Sequence, residues 1–130
     1  MIYIDTSALV KLLFDEPESM ALTDWLTLKT EIPKVSSDLS TVELLHTCQR
    51  IDGTLVGDAR RLLDGVDLIP IDHKIVEQAA ILAPRELRSL DAIHLASAMS
   101  LIDDLNDFVA YDVRLCSAAT EAGLPVVTPT

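Results

Sequence analysis

The chain has 130 residues, 49% of them hydrophobic, and its 10 basic and 21 acidic residues give a formal net charge of −11. These values predict one domain spanning residues 1–130 with a buried core, and they argue against a protein that binds nucleic acid through a general basic surface. No apolar run approaches the ~20 residues of a membrane span, and no signal peptide precedes the first strand-like segment, which predicts a cytoplasmic protein with no membrane partner.

The first half of the chain alternates short apolar segments with helical patterns. Ile2–Ile4 predicts a strand that ends at a helix-start signal, Asp5-Thr6-Ser7, and a short helix follows over Ala8–Phe14. The next predicted elements are a helix over Ser19–Thr30, a strand over Lys34–Ser36, a helix from a cap at Ser37 or Asp38 to about Ile51, and a helix from Thr54 to about Asp64.

The second half repeats this alternation. Its predicted elements are a strand over Val66–Pro70, a helix from a cap at Asp72 to about Ala83, a helix from a cap at Ser89 to about Ile102, a strand over Phe108–Tyr111, a helix from a cap at Asp112 to Ala122, and a strand over Pro125–Val127. Gly123 stands where a helix C-cap glycine is expected. Short strands alternating with helices predict an α/β fold with a parallel sheet covered on both faces.

Four acidic residues lie beside apolar segments that are far apart in the sequence: Asp5, Glu43, Asp91 and Asp112. Asp5 and Asp112 follow predicted strands, whereas Glu43 and Asp91 lie in the opening turns of predicted helices. Ligands of doubly wound sheets bind outside the carboxyl ends of the strands. We therefore expect all four carboxylates to meet in one crevice.

Each of these acids also has a purely structural interpretation. Asp5 and Asp112 are good N-caps, Asp91 lies near a helix N-terminus, and Glu43 fits a capping box with Ser40. Capping does not require the apolar settings Leu-Asp-Ala-Ile and Val-Glu-Leu-Leu around two of them. The combination of settings favours a shared site over four unrelated caps.

Clustered carboxylates repel one another unless a cation lies between them. Hard ions such as Mg²⁺ or Mn²⁺ prefer oxygen ligands, lower the pKa of bound water and stabilise charge on phosphate. Cys48 and Cys116 lack any Cys/His pattern of zinc spacing, so we expect buried free thiols. The acids therefore predict metal-assisted hydrolysis of a phosphodiester bond.

Several neighbouring residues leave alternatives open. His94, three residues after Asp91, either borders the site or packs in the core, and Thr6 and Ser7 either contact a ligand or cap a helix. The basic residues that either contact RNA or are solvated are Lys11, Arg50, Arg85, Arg88 and Arg114.

The motifs as a set resemble those of PIN-domain ribonucleases, and specifically the VapC toxins of VapBC toxin–antitoxin pairs. The segments that carry the resemblance are MIYIDTSALVKLL, VSSDLSTVELLHTCQR, ELRSLDAIHLASAM and DFVAYDVRLCSAATEAGLPVV, in family order over essentially the whole chain. The combination of IDTSALVK, SLDAIHLA and YD is specific, whereas any one of them alone is weak.

The resemblance implies a three-layer α/β/α PIN-like fold with a mainly parallel central sheet. It implies Mg²⁺- or Mn²⁺-dependent endonucleolytic cleavage of RNA, with Asp5 and Asp91 as principal metal ligands and Glu43 and Asp112 completing the quartet. It further implies a homodimer, neutralisation by a cognate VapB antitoxin that docks over the site, and a higher toxin–antitoxin complex.

This chain departs from the family pattern at two positions. Ala110 stands two residues before the fourth acid, where many relatives have Ser or Thr. Val113 stands where relatives often have a basic residue, and Arg114 is the neighbouring residue that can replace it.

Two other functions share some of these sequence features with a toxin ribonuclease. A receiver-type phosphoacceptor domain is also acidic and doubly wound, but it has paired acids after the first strand and a lysine after a late strand, and this chain has neither. A catalytically inactive PIN-like binding module would lack an acid of the quartet, and all four acids are present.

Overall fold

The computed structural model describes residues 1–82 and 84–130, and its centre is a five-stranded sheet. The strands are β1 (Ile2–Ile4), β2 (Lys34–Ser37), β3 (Asp67–Ile69), β4 (Asp107–Val109) and β5 (Val126–Val127). They lie in the order β3-β2-β1-β4-β5, and every pair is parallel. The α/β fold with a parallel sheet is thus confirmed.

Helices cover both faces of this sheet. They are α1 (Thr6–Leu13), α2 (Ser19–Thr27), α3 (Leu39–Ile51), α4 (Val56–Asp64), α5 (His73–Ala80), α6 (Ser89–Met99) and α7 (Val113–Glu121). The buried core forms two clusters, one holding Ile2 and Ile4 with side chains of α1 to α4, the other holding Tyr3 with side chains of α6 and α7. Successive residues of a strand point to opposite faces, so three residues of β1 anchor both helical layers.

The central position of β1 sets the location of the residues that follow it. Tyr3 of β1 lies opposite Val35 of β2 and Phe108 of β4, and the rings of Tyr3 and Phe108 stack with centroids 5.3 Å apart. Because β1 and β4 are parallel neighbours, their carboxyl ends are adjacent. Asp5 and Asp112 therefore emerge at the same edge of the sheet.

Three predicted helices end earlier than expected. α2 ends at Thr27, α5 at Ala80 and α6 at Met99. The predicted end of α5, Ala83, lies outside the described residues. Apolar residues follow the end of each helix, among them the exposed Leu28 and Ile81, and Ile102–Asp104 forms a separate 3-10 turn after α6. Hydrophobic periodicity alone does not separate such a turn from a further turn of helix.

One predicted cap is wrong, and the capping-box alternative for Glu43 is excluded. Ser89 is the first residue of α6, and Arg88, in an extended conformation, occupies the N-cap position. Ser40 lies inside α3 and is buried, with its hydroxyl 2.7 Å from the hydroxyl of Ser36, so it forms no capping box with Glu43. Burial explains the second outcome, because a buried hydroxyl must find a partner within the core.

Other local predictions are confirmed. Asp5 and Asp112 cap α1 and α7 by accepting hydrogen bonds from the amides of Ser7 and Leu115. Gly123 has a φ of 86°, the left-handed conformation that a C-cap glycine adopts readily. Both cysteines are free, Cys48 buried and Cys116 partly buried. Within residues 1–82 and 84–130, no helix combines the length and apolar character needed to cross a bilayer.

Candidate functional site

Asp5 lies at the carboxyl end of β1 and is almost completely buried. Its backbone amide donates to the carbonyl of Val109 at the end of β4, which holds the two strand ends together. Its Oδ2 accepts hydrogen bonds from the Ser7 amide at 3.1 Å and the Ser7 hydroxyl at 2.6 Å. Asp5 therefore caps α1 through one oxygen, while its Oδ1 lies 3.6 Å from Nε2 of His94.

Glu43 reaches the same region from the second turn of α3. Its Oε1 accepts a hydrogen bond from the Thr6 hydroxyl at 2.7 Å and lies 2.7 Å from Nε2 of His94. These contacts join residues 37 and 51 positions apart in the sequence. Thr6 and His94 thus fix the orientation of the Glu43 carboxylate.

His94 is the buried centre of this arrangement, with 1% of its side chain exposed. Its Nε2 faces Glu43 and Asp5, and its Nδ1 lies 2.7 Å from the hydroxyl of Tyr3. Burial lowers the pKa of His94, but the hydrogen bond to Glu43 and the charges of Asp5, Glu43 and Asp91 outweigh burial and raise it above its ordinary value. Both interpretations of His94 are therefore correct, since it is packed in the core and borders the acids.

Asp91 and Asp112 are held by the guanidinium of Arg88. Nε of Arg88 lies 3.2 Å from Oδ2 of Asp91, and its Nη2 lies 3.2 Å from Oδ2 of Asp112. Asp91 belongs to the first turn of α6, and Asp112 follows β4 as the N-cap of α7. One guanidinium therefore bridges acids that come from two different elements.

The four acids thus form two pairs, each with its own nitrogen-bearing partner. Asp5 and Glu43 share His94, and Asp91 and Asp112 share Arg88. In the part of the chain that the structure describes, no three His, Cys, Asp or Glu side chains already stand close enough together to hold a metal ion. The acids lie at one edge of the sheet, but they are not arranged as a ready-made metal cluster.

The pKa shifts indicate that the two pairs influence each other. Burial raises the pKa of Asp91, the hydrogen bond and charge of Arg88 oppose this, and the charges of Asp5 and Asp112 raise it further, leaving it above its usual value. Burial also raises the pKa of Glu43, but hydrogen bonds from His94 and Thr6 lower it below its usual value. The charge of Asp91 is therefore not fully compensated by its surroundings.

A small pocket of about 260 Å³ opens between the pairs and is lined by Glu43, Arg88, Ser89, Leu90 and Asp91. A larger groove of about 520 Å³ beside α5 and α6 is lined by none of the four acids. The small pocket gives Glu43 and Asp91 access to solvent from the Arg88 side.

Other sequence-predicted residues have different surroundings. Thr6 and Ser7 hydrogen-bond to Glu43 and Asp5 and so support the acids. Lys11, for which an RNA contact or a solvated position was open, pairs with Glu16 and Glu18. Arg114, the proposed replacement for a basic residue at position 113, lines a separate pocket with Glu86, Leu87, Ser117 and Glu121.

The sequence did not indicate two features of the site. Tyr3 was assigned only to a strand, and its hydroxyl contact to His94 joins residues 91 positions apart. The second feature is the bridge that Arg88 forms between Asp91 and Asp112, at a helix start where Ser89 was the expected cap. The one available signal was spacing, because Arg88 precedes Asp91 by three residues and such pairs are neighbours at a helix start.

Comparison with known proteins places the chain in a family. The sequence pattern of the PIN domain matches residues 2–128. The chain is 42% identical over 132 residues to ribonuclease VapC47 of Mycobacterium tuberculosis, covering 99% of this chain and 97% of that protein.

Two solved structures show the same fold at low sequence identity. The crystal structure of VapC20 from Mycobacterium tuberculosis, described as a sarcin-ricin loop cleaving toxin, superposes with a TM-score of 0.74 at 21% identity over 99% of this chain and 100% of that chain. A toxin–antitoxin complex from Klebsiella pneumoniae gives 0.72 at 23% identity over 100% and 98% of the two chains. This chain belongs to the PIN-domain family, in which its curated relatives are VapC ribonucleases.

Proposed function

We propose that the protein is an endoribonuclease that depends on Mg²⁺ or Mn²⁺ and acts as the toxin of a VapBC-type toxin–antitoxin pair. The observation that carries the proposal is the convergence of four carboxylates from β1, α3, α6 and the segment after β4. The name of the 42% identical relative, ribonuclease VapC47, supports the same activity. Asp5, Glu43, Asp91 and Asp112 are the proposed metal-binding and catalytic residues.

The donor set fits a hard divalent cation, because it consists of carboxylate oxygens without thiols. Asp91 carries an unfavourable charge in the folded chain, as its raised pKa indicates, and a divalent cation between the acids relieves it. The Arg88 bridge contacts Oδ2 of both Asp91 and Asp112, and these carboxylates would be more available to hold the cation if the guanidinium moved away.

A divalent cation bound here supplies activated water at neutral pH and offsets charge on the scissile phosphate. The chain's own residues contribute orientation. Ser7 holds one oxygen of Asp5, and Thr6 and His94 hold one oxygen of Glu43. Fixed carboxylates reduce the reorganisation needed when phosphate enters the site.

The proposed activity is tested by sequencing RNA 5′ ends after induced expression of the wild type and of Asp5→Asn. The wild type is expected to produce new 5′ ends at defined positions, and the variant is expected to produce none above background. Purified wild type should cleave the same RNA with Mg²⁺ or Mn²⁺ and should lose activity in EDTA. Cleavage that persists in EDTA would contradict metal dependence, and the absence of any new 5′ ends would favour an inactive binding module.

The proposed protein partner is a cognate VapB antitoxin with a basic segment that docks over the acids. The net charge of −11 and the carboxylates at the sheet edge favour a positively charged partner. The likeness to the Klebsiella pneumoniae toxin–antitoxin complex supports such an assembly. Co-expression with the antitoxin should suppress the new 5′ ends. Light scattering should give the mass of a homodimer for the purified toxin and a larger mass for the purified toxin–antitoxin pair.

A further inference from the structure

Arg88 is placed to respond to the contents of the site. Its guanidinium joins Asp91 and Asp112 through two contacts of 3.2 Å, one from Nε and one from Nη2. The acids belong to α6 and to the start of α7, so one side chain closes the gap between two elements. In the described ranges, 1–82 and 84–130, no other Lys or Arg forms an ion pair with any of the four acids.

The exposure of the three side chains differs in a way that permits movement. The side chain of Arg88 is 65% exposed, whereas those of Asp91 and Asp112 are 16% and 33% exposed. The acids are held in the protein and the cation approaches from solvent. Ion pairs with an exposed partner are weak, so the guanidinium can leave without disturbing the fold.

At Asp112, Arg88 contacts the carboxylate oxygen that the helix cap leaves available to a metal ion. Both contacts use Oδ2, while Oδ1 of Asp112 accepts the capping hydrogen bond from the Leu115 amide. A carboxylate oxygen can accept a hydrogen bond and bind a metal ion at the same time, but a guanidinium and a divalent cation at the same oxygen repel each other. Arg88 and a metal ion therefore compete for Asp91 and Asp112.

A displaced Arg88 remains beside the site. It lines the same small pocket as Glu43 and Asp91. Its planar fork of donors matches a phosphate group, which carries the charge that a nuclease must recognise. Lys11, in contrast, forms ion pairs with Glu16 and Glu18.

We propose that Arg88 is a displaceable counter-ion, which competes with a divalent metal ion for Asp91 and Asp112 and binds an RNA phosphate once the metal has displaced it. The inference rests on the proposed ribonuclease function. It assigns to one residue a negative effect on metal affinity and a positive effect on substrate affinity, and a merely structural residue would not produce these opposite effects.

Metal affinity is the first test, by calorimetric titration of Mn²⁺ into the full chain without RNA. Arg88→Gln should bind Mn²⁺ about threefold to tenfold more tightly than the wild type, because the competing cation is gone. Arg85→Gln is the matched control, since it removes the same charge from an exposed arginine three residues earlier. Unchanged or weaker binding by Arg88→Gln, or an equal gain in Arg85→Gln, would overturn the counter-ion role.

Substrate affinity is the second test, by cleavage kinetics at saturating Mn²⁺. Arg88→Gln should raise KM for RNA about threefold to tenfold, with a smaller change in kcat, and Arg88→Lys should give an intermediate KM because it keeps the charge without the fork. An unchanged KM in Arg88→Gln would overturn the phosphate role. A wild type that binds Mn²⁺ but cleaves no RNA would refute the proposed function, while the metal titration would still decide the counter-ion role.

Discussion

Removal of the Tyr3 hydroxyl should weaken both the fold and the site. The hydroxyl lies 2.7 Å from Nδ1 of His94, and both side chains are buried. Tyr3→Phe keeps the ring that stacks on Phe108 and deletes the hydrogen bond to His94. The ring nitrogen of His94 is then left without a partner where water has little access.

The expected loss follows from that geometry. A buried polar group that loses its partner costs about 1–3 kcal/mol. For a chain of this length, each kcal/mol lowers the melting temperature by about 3–5 °C, so Tyr3→Phe should melt about 3–15 °C below the wild type. RNA cleavage should fall about tenfold, because residues that orient metal-binding side chains typically have effects of this size.

Tyr111→Phe is the matched control for this experiment. Its hydroxyl donates to the carbonyl of Pro129 at 2.7 Å, but the side chain is only partly buried and water can replace the lost partner. It should change the melting temperature and the cleavage rate much less than Tyr3→Phe. If Tyr3→Phe matched the wild type in urea unfolding and in cleavage, the buried Tyr3–His94–Glu43 chain would not support the site.

Three further predictions concern charge and backbone conformation. Asp91→Asn should raise the melting temperature of the metal-free protein, because the raised pKa of Asp91 means that its charge destabilises the fold near neutral pH. The same variant should abolish the increase in melting temperature with Mg²⁺. A lower melting temperature of the variant without metal would contradict this prediction. The raised pKa of His94 contributes stability that is complete below about pH 6.5, the unfolded value, and is lost as pH rises through the higher folded value. The free energy of unfolding in urea with EDTA should therefore fall above that pH, less so in His94→Gln than in a control with the exposed His73→Gln. Gly123→Ala should lower the free energy of unfolding by about 1–2 kcal/mol, because a φ of 86° is unfavourable for alanine. A steric clash does not contribute, since no atom lies within 4 Å of the added carbon. Gly53→Ala has the same open space without a positive φ, and it should lower the free energy of unfolding less in the same assay.

The sequence allowed the sheet and the shared edge of Asp5 and Asp112 to be predicted, because both follow from local patterns. Ile2–Ile4 is short and apolar and precedes a cap, and parallel strands bring their carboxyl ends to one edge. This placed Asp5 and Asp112 together before any side-chain position was known. Their capping roles were equally visible, because an aspartate before a helix has few other local partners.

The partners of the acids could not be predicted in the same way. The pairing of His94 with Glu43 depends on how α3 and α6 approach across 51 residues, which no local pattern encodes. The sequence did not show which groups Arg88 contacts, since an exposed arginine in a loop is usually solvated. The capping-box alternative for Ser40 failed for a related reason, since the motif falls on a residue whose hydroxyl is used inside the core.

Calorimetric titration of Mn²⁺ into the metal-free protein tests most directly whether the four acids form one metal centre. Asp5→Asn, Glu43→Gln, Asp91→Asn and Asp112→Asn should each weaken binding at least about tenfold. Asp72→Asn is the matched control, because Asp72 caps α5 by accepting from the Ile75 amide as Asp112 caps α7, yet lies outside the site. Wild-type affinity in Asp72→Asn together with a loss in all four variants is the predicted result. Equal effects of Asp72→Asn and Asp112→Asn on Mn²⁺ binding, or undiminished binding by Asp5→Asn and Asp91→Asn, would contradict the claim that the four acids form one metal centre.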